Sequence, residues 1–167
     1  MTRRRYELLR LVCSFLFFAC GLFARMASAQ TLQITDTEGH SVNFTATQIE
    51  KLLHVTVDTA EHDKPAQFRG VPLAALLSMA GIKLGDAMRG PRMAEVLLAE
   101  AADGYKVVFA LAELDPAFAA REIILADRRD GKPLDAHEGP FRIVAPGDKR
   151  PARWIRQVTT LKVIAVK

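Results

Sequence analysis

The chain has 167 residues, with 23 Lys and Arg against 19 Asp and Glu, and two cysteines. Arg3, Arg4, Arg5, Arg10, Arg25, Glu7, Cys13 and Cys20 all precede Gln30, so residues 30–167 hold 18 basic groups, 18 acidic groups and no cysteine. That balance removes the footprint of a nucleic-acid binder. The missing thiols exclude a disulfide framework, a Cys-zinc site, an iron–sulfur cluster, attached c-type haem and a thiol nucleophile from this region.

Residues 1–29 read as a secretory signal. Thr2 to Arg10 is positively charged, Leu11 to Phe23 is an unbroken apolar or small run, and Ala27-Ser28-Ala29 offers the small residues a signal peptidase needs. As helix the apolar run spans only about 20 Å, short of the roughly 30 Å hydrocarbon core. The expectation is cleavage after Ala29, a periplasmic or secreted product, and no transmembrane segment afterwards.

Residues 30–167 contain no repeat, low-complexity tract or linker and are expected to form one domain. Thr31 to Thr35 and Ser41 to Thr45 read as strands flanking a turn, and Thr47-Gln48-Ile49-Glu50 as a capping box opening a short helix. Val55 to Thr59 alternates and is β-branched, and Ala66 to Val71 reads as another strand. Pro72 is placed at the first position of a helix whose stripe is Leu73, Leu76, Leu77 and Ala80, stopped by Gly81. Glu95 to Ala101 and Tyr105 to Ala110 flank the hairpin signal Ala102-Asp103-Gly104. Arg121 to Ala126, Phe141 to Val144 and Val158 to Val166 complete the strands, with a turn at Asp130 to Pro133. Strands outnumber helices and hairpins recur, so the fold class is α+β, a β-rich mixed-sheet domain.

Charge is unevenly spread. Residues 30–140 carry a net −6, whereas Phe141 to Lys167 carries +6, with Arg142, Lys149, Arg150, Arg153 and Arg156 interleaved with Pro146, Gly147, Pro151 and Trp154. Such a loop either gathers guanidinium groups around a phosphate or carboxylate, or is a solvated counterweight to the acidic remainder. His137, in Asp135-Ala136-His137-Glu138-Gly139-Pro140, has the chemistry to donate to an anion, accept a proton or bind a metal; a surface role competes. His54, Asp58, Glu61, His62 and Asp63 are ligand-type residues without a recognised metal spacing, and are read as a solvated loop. Gly70 is read as needed for its dihedral freedom. Ser41 and Ser78, the only serines after the leader, have no hydrolase context. No catalytic residue and no metal ligand is assigned.

Five pieces occur in a telling order. They are Phe68-Arg69-Gly70-Val71-Pro72-Leu73, Ala102-Asp103-Gly104-Tyr105, Ile124-Leu125-Ala126 with Asp130-Gly131-Lys132-Pro133-Leu134, His137-Glu138-Gly139-Pro140-Phe141-Arg142-Ile143-Val144-Ala145-Pro146, and Arg153-Trp154-Ile155. Together, over residues 68–163, they resemble the molybdopterin-binding domain of the sulfite oxidase family of oxidoreductases. The resemblance implies that family's mixed α+β fold, molybdopterin as the cofactor, and His137, Arg142, Arg153 and Trp154 as the residues facing it. It also implies a redox or periplasmic protein partner. Two departures bear on activity: no cysteine is present to ligate molybdenum, and Glu138 interrupts the family's His-Gly-x-Pro order. The reading that follows is an exported domain that holds a pterin or other anion without being an autonomous molybdenum oxidoreductase. The alternative is a cofactor-free periplasmic binding or accessory module that keeps only the fold.

Overall fold

The structure is a computed structural model describing residues 30–166. The signal expected in residues 1–29 lies outside the described residues. Among the described residues, no helix is long and apolar enough to cross a membrane.

Strand β1 (Thr31–Thr35) buries Leu32 and Ile34 beside exposed Thr31 and Gln33 and half-buried Thr35, and pairs antiparallel with β2 (Ser41–Thr45), setting Leu32 opposite Phe44. Helix α1 (Ala46–Glu50) follows directly. Its cap is Thr45, whose hydroxyl accepts from the Gln48 amide while the Gln48 side chain accepts from the Thr45 amide. The expected box at Thr47 and Glu50 is therefore displaced by two residues. Both pairs satisfy the Thr-x-x-Gln/Glu pattern, and the end of β2 selects the earlier one.

Strands β3 (Val55–Glu61) and β4 (Lys64–Pro72) form a long hairpin. Its tip is His62-Asp63, both at positive φ (52° and 63°), as a two-residue turn with matching twist demands. Pro72 ends β4 and caps helix α2 (Leu73–Met79) rather than opening its first turn. Strands β5 (Glu95–Ala101) and β6 (Lys106–Ala110) make the expected hairpin. Strand β7 (Ile124–Arg129) starts three residues later than expected, and Asp130-Gly131, at positive φ, turn the chain into the short β8 (Lys132–Pro133). Strand β9 (Arg142–Val144) also pairs with β7, and β10 (Val158–Ala165) returns to the first sheet. A register shift between Val158 and Thr160 accounts for the broken alternation at the start of β10.

Two sheets result. One has the order β2-β1-β10-β5-β6, with β1 parallel to β10 and the other pairs antiparallel; the second runs β3-β4-β7, with β8 and β9 sharing the far edge of β7. Inward residues of both sheets and Leu73, Leu76 and Leu77 of α2 join in one apolar core. The mixed α+β, β-rich expectation holds. Gly70 has a different reason from the expected one. A Cβ there would lie 2.3 Å from the Leu125 carbonyl oxygen on β7, so close strand approach, not dihedral freedom, demands glycine.

Candidate functional site

β9 reads Arg-Ile-Val, and all three residues are buried. Arg142 is 1 % exposed, its guanidinium 5.0 Å from the centre of the Phe68 ring and 5.9 Å from that of Trp154. The two rings meet edge to face, and the Trp154 indole N–H donates to the Ala145 carbonyl at 3.0 Å. A buried guanidinium requires anionic partners. Arg142 Nη2 donates to Glu61 Oε1 and Nη1 to Glu138 Oε1, each at 2.8 Å.

Arg129, at the end of β7, completes a ring. Its Nη1 donates to Glu61 Oε2 at 2.8 Å and to Glu138 Oε1 at 3.2 Å, and its guanidinium lies 5.4 Å from the Phe68 centroid. Two arginines are thus bridged by two carboxylates. Burial acts to raise the Glu61 carboxyl, but the Arg142 hydrogen bond and the charges of Arg142, Arg129 and Arg156 outweigh it and hold it below its ordinary value. Arg142 Nε is buried without an acceptor among the described residues.

Arg153 belongs to a second ring of the same composition. Its Nη1 donates to Glu113 at 2.9 Å, and its Nε and Nη2 donate to Asp148 at 3.1 and 2.9 Å. Arg121 donates to Asp148 at 2.9 Å and to Glu113, closing the circuit. The hydrogen bond to Asp148 raises Arg153 above its ordinary value; burial opposes it and Glu113 adds to the rise. The Arg153 guanidinium sits 4.8 Å over the Phe109 ring of β6, so this ring ties the 148–153 loop to the first sheet.

Of the four residues singled out from the sequence, Trp154 meets Arg142 and shares a cleft with His137, but Arg153 does not join them. Arg153 turns away from them to Phe109, and His137 is exposed, its backbone amide held by Asp135 Oδ1 at 2.8 Å. The remaining cations of the loop, Lys149, Arg150 and Arg156, are exposed and have no ion-pair partner among the described residues. They line a cleft of about 770 Å³ between this loop and the β3–β4 hairpin tip, where Glu61, His62 and Asp63 form the opposite wall. A neighbouring cleft of about 370 Å³ is lined by His137 and Trp154 together with Tyr105, Arg156 and Gln157.

The residues expected in a solvated loop separate into four roles, Asp58 alone staying exposed on its strand, where it accepts from the Gln67 side-chain amide at 2.9 Å. His54 is half-buried, its side chain turned inward with Nδ1 2.8 Å from the Leu52 carbonyl and Nε2 3.1 Å from Asp127. His62 and Asp63 form the hairpin tip, and Glu61 is an ion-pair partner inside the protein. Asp36, Glu38 and His40 do bring three ligand-type groups together in the exposed β1–β2 turn. There Asp36 organises the turn, accepting the Glu38 and His40 amides, and its hydrogen bond lifts the His40 imidazole above its ordinary value. Glu61, Arg129, Glu113 and Arg121 were not visible as site residues in sequence, because their partners lie 8 to 81 positions away. In sequence, Glu61 reads only as part of a solvated loop, and Glu138 as the residue that breaks the His-Gly-x-Pro order.

A two-sheet domain whose arginine-rich final segment packs against a hairpin tip is the class the fold defines. The family model described as the oxidoreductase molybdopterin binding domain matches residues 45–166, and the chain belongs to that family. Among solved structures it is similar to the crystal structure of the sulfane dehydrogenase SoxCD from Paracoccus pantotrophus, with a TM-score of 0.66 and 22 % identity. The match covers 86 % of this chain but 40 % of that one, and at this identity the likeness is one of fold. No curated protein matches the chain.

Proposed function

We propose that this chain is a cofactor-free member of the molybdopterin-binding family, exported to the periplasm or secreted, where it acts as a binding or accessory module for a protein partner. One observation carries the reading. The guanidinium groups at the positions expected to face the cofactor, Arg142 and Arg153, are already spent on Glu61 and Glu138, and on Glu113 and Asp148.

The residues present do not fit the family's cofactor. Molybdenum takes a soft thiolate, and residues 30–167 contain none. A pterin phosphate placed against Arg142 would meet two carboxylates already bonded to Nη1 and Nη2, and Nε is the one guanidinium nitrogen there without an acceptor among the described residues. Molybdenum measured by mass spectrometry and pterin released by denaturation, both on protein purified from its native compartment, test the proposal. Neither should be present at more than trace stoichiometry. Near-equimolar pterin would overturn the proposal.

A second reading, binding of a pterin phosphate or another anion by the loop, is favoured by Lys149, Arg150 and Arg156, unpaired among the described residues, around the larger cleft. Pyrophosphate titrated calorimetrically against wild type and Arg156→Glu separates the two. Saturable binding lost on charge reversal supports the anion reading, and no heat beyond dilution removes it.

A further inference from the structure

We infer that Glu138 is an internal ligand occupying a seat for a small carboxylate, and that Arg142 and Arg129 form that seat. The inference rests on the proposal that no pterin is held at Arg142, but it concerns what the chain has put in that place.

The geometry is that of a receptor. Two guanidinium groups converge on each carboxylate, the Phe68 and Trp154 rings wall the Arg142 side, and the interior position strengthens each charge-assisted hydrogen bond. The two glutamates are held differently. Glu61 uses both oxygens, one for each arginine, and reaches the seat from the end of β3. Glu138 uses Oε1 alone for both arginines, leaving Oε2 without an arginine partner. It arrives from a turn rather than a strand, where Asp135 Oδ1 accepts the amides of His137 and Glu138 and the Asp135 carbonyl accepts that of Gly139. Its side chain is 13 % exposed against 7 % for Glu61, so it closes the seat from the solvent side. With both glutamates the ring is neutral. Without Glu138, Arg142 Nη1 and Arg129 Nη1 lose the oxygen they share, Arg129 keeping Glu61 and a looser contact to exposed Asp130 at 3.6 Å, and an opening of carboxylate size is left beside both Nη1 groups, the complement of a monocarboxylate such as acetate.

The test is chemical rescue. Glu138→Ala, Glu138→Gln and wild type are melted at pH 7 in sodium acetate and in sodium chloride of equal ionic strength. Acetate should raise the Tm of Glu138→Ala above its chloride value by about 4 °C at a concentration ten times its Kd. Wild type, with Glu138 in place, and Glu138→Gln, whose amide fills the space, should melt alike in both salts. An acetate shift no larger in Glu138→Ala than in wild type, or an equal shift in Glu138→Gln, overturns the inference. Should Glu138→Ala not fold in chloride, its refolding yield is the readout: recovery in acetate supports the seat, and no recovery overturns it. Failure here leaves the absence of pterin from wild type standing, because that is measured on a different protein by a different signal. Pterin in wild type would sink the proposed function whatever acetate does.

Discussion

Arg142 and Arg153 are eleven positions apart and each sits in a ring of two arginines and two carboxylates, but the rings belong to different energetic classes. The Arg142 ring is centred on an interior guanidinium: Arg142 is 1 % exposed, Glu61 7 % and Glu138 13 %, aromatic rings wall it, and only Arg129, 32 % exposed, reaches the surface. The Arg153 ring keeps both guanidinium groups one-third exposed and links the segment after β6, Arg121 and the loop after β9. Identical chemistry therefore does two jobs. In the interior, each carboxylate is present because the arginine beside it could not be buried alone; at the surface, the pairs orient a loop at little desolvation cost.

The largest expected effect sets these classes apart. Arg142→Met strands Glu61 and Glu138 on the single remaining Arg129, and should cost about 3–5 kcal/mol in urea unfolding. Arg153→Met should cost about 1 kcal/mol, since exposed pairs contribute little and Arg121 still spans both acids. Equal costs would erase the distinction. Acid sharpens it next. Because the folded-state carboxyl of Glu61 is held below its ordinary value, its contribution is complete above the unfolded carboxylate range, near pH 4.3, and is lost as pH falls through the lowered folded value. Glu61→Gln should accordingly flatten the acid limb of the stability curve, read as ΔG of unfolding between pH 5 and pH 2, with little change in slope above pH 5. The smallest effect is that of salt. Raising NaCl from 0.05 to 1 M shortens the screening length to about 3 Å. The Arg153–Asp148 coupling in a double-mutant cycle should fall by roughly half, while the Arg142–Glu61 coupling should hold within error.

Much of the fold was legible because it rests on local patterns. Alternation marked β3, turn residues marked β1 and β2, the Ala102-Asp103-Gly104 turn marked the β5–β6 hairpin, and the Leu73, Leu76, Leu77 stripe marked α2. Errors arose where two local readings compete, as with Thr45 and Thr47 for the cap, or where the reason is tertiary, as with Gly70 against Leu125. The site was legible only in half. Net charge located the arginines but not their partners, since Glu61 lies 81 positions from Arg142 and Glu113 lies 40 from Arg153. A guanidinium awaiting an external anion and one already saturated read alike in sequence. What separates them is the packing of β3 and the turn before β9.

Whether Arg142 is saturated from within can be observed at its own nitrogen atoms. In 1H–15N spectra of the guanidinium groups, Arg142 should give resolved, slowly exchanging Nη–H signals that stay fixed as pyrophosphate is added, while exposed Arg156 exchanges rapidly with water. Arg142 signals that are broadened at the outset and shift saturably with pyrophosphate would show a guanidinium open to an outside anion, contrary to the interior ring described here.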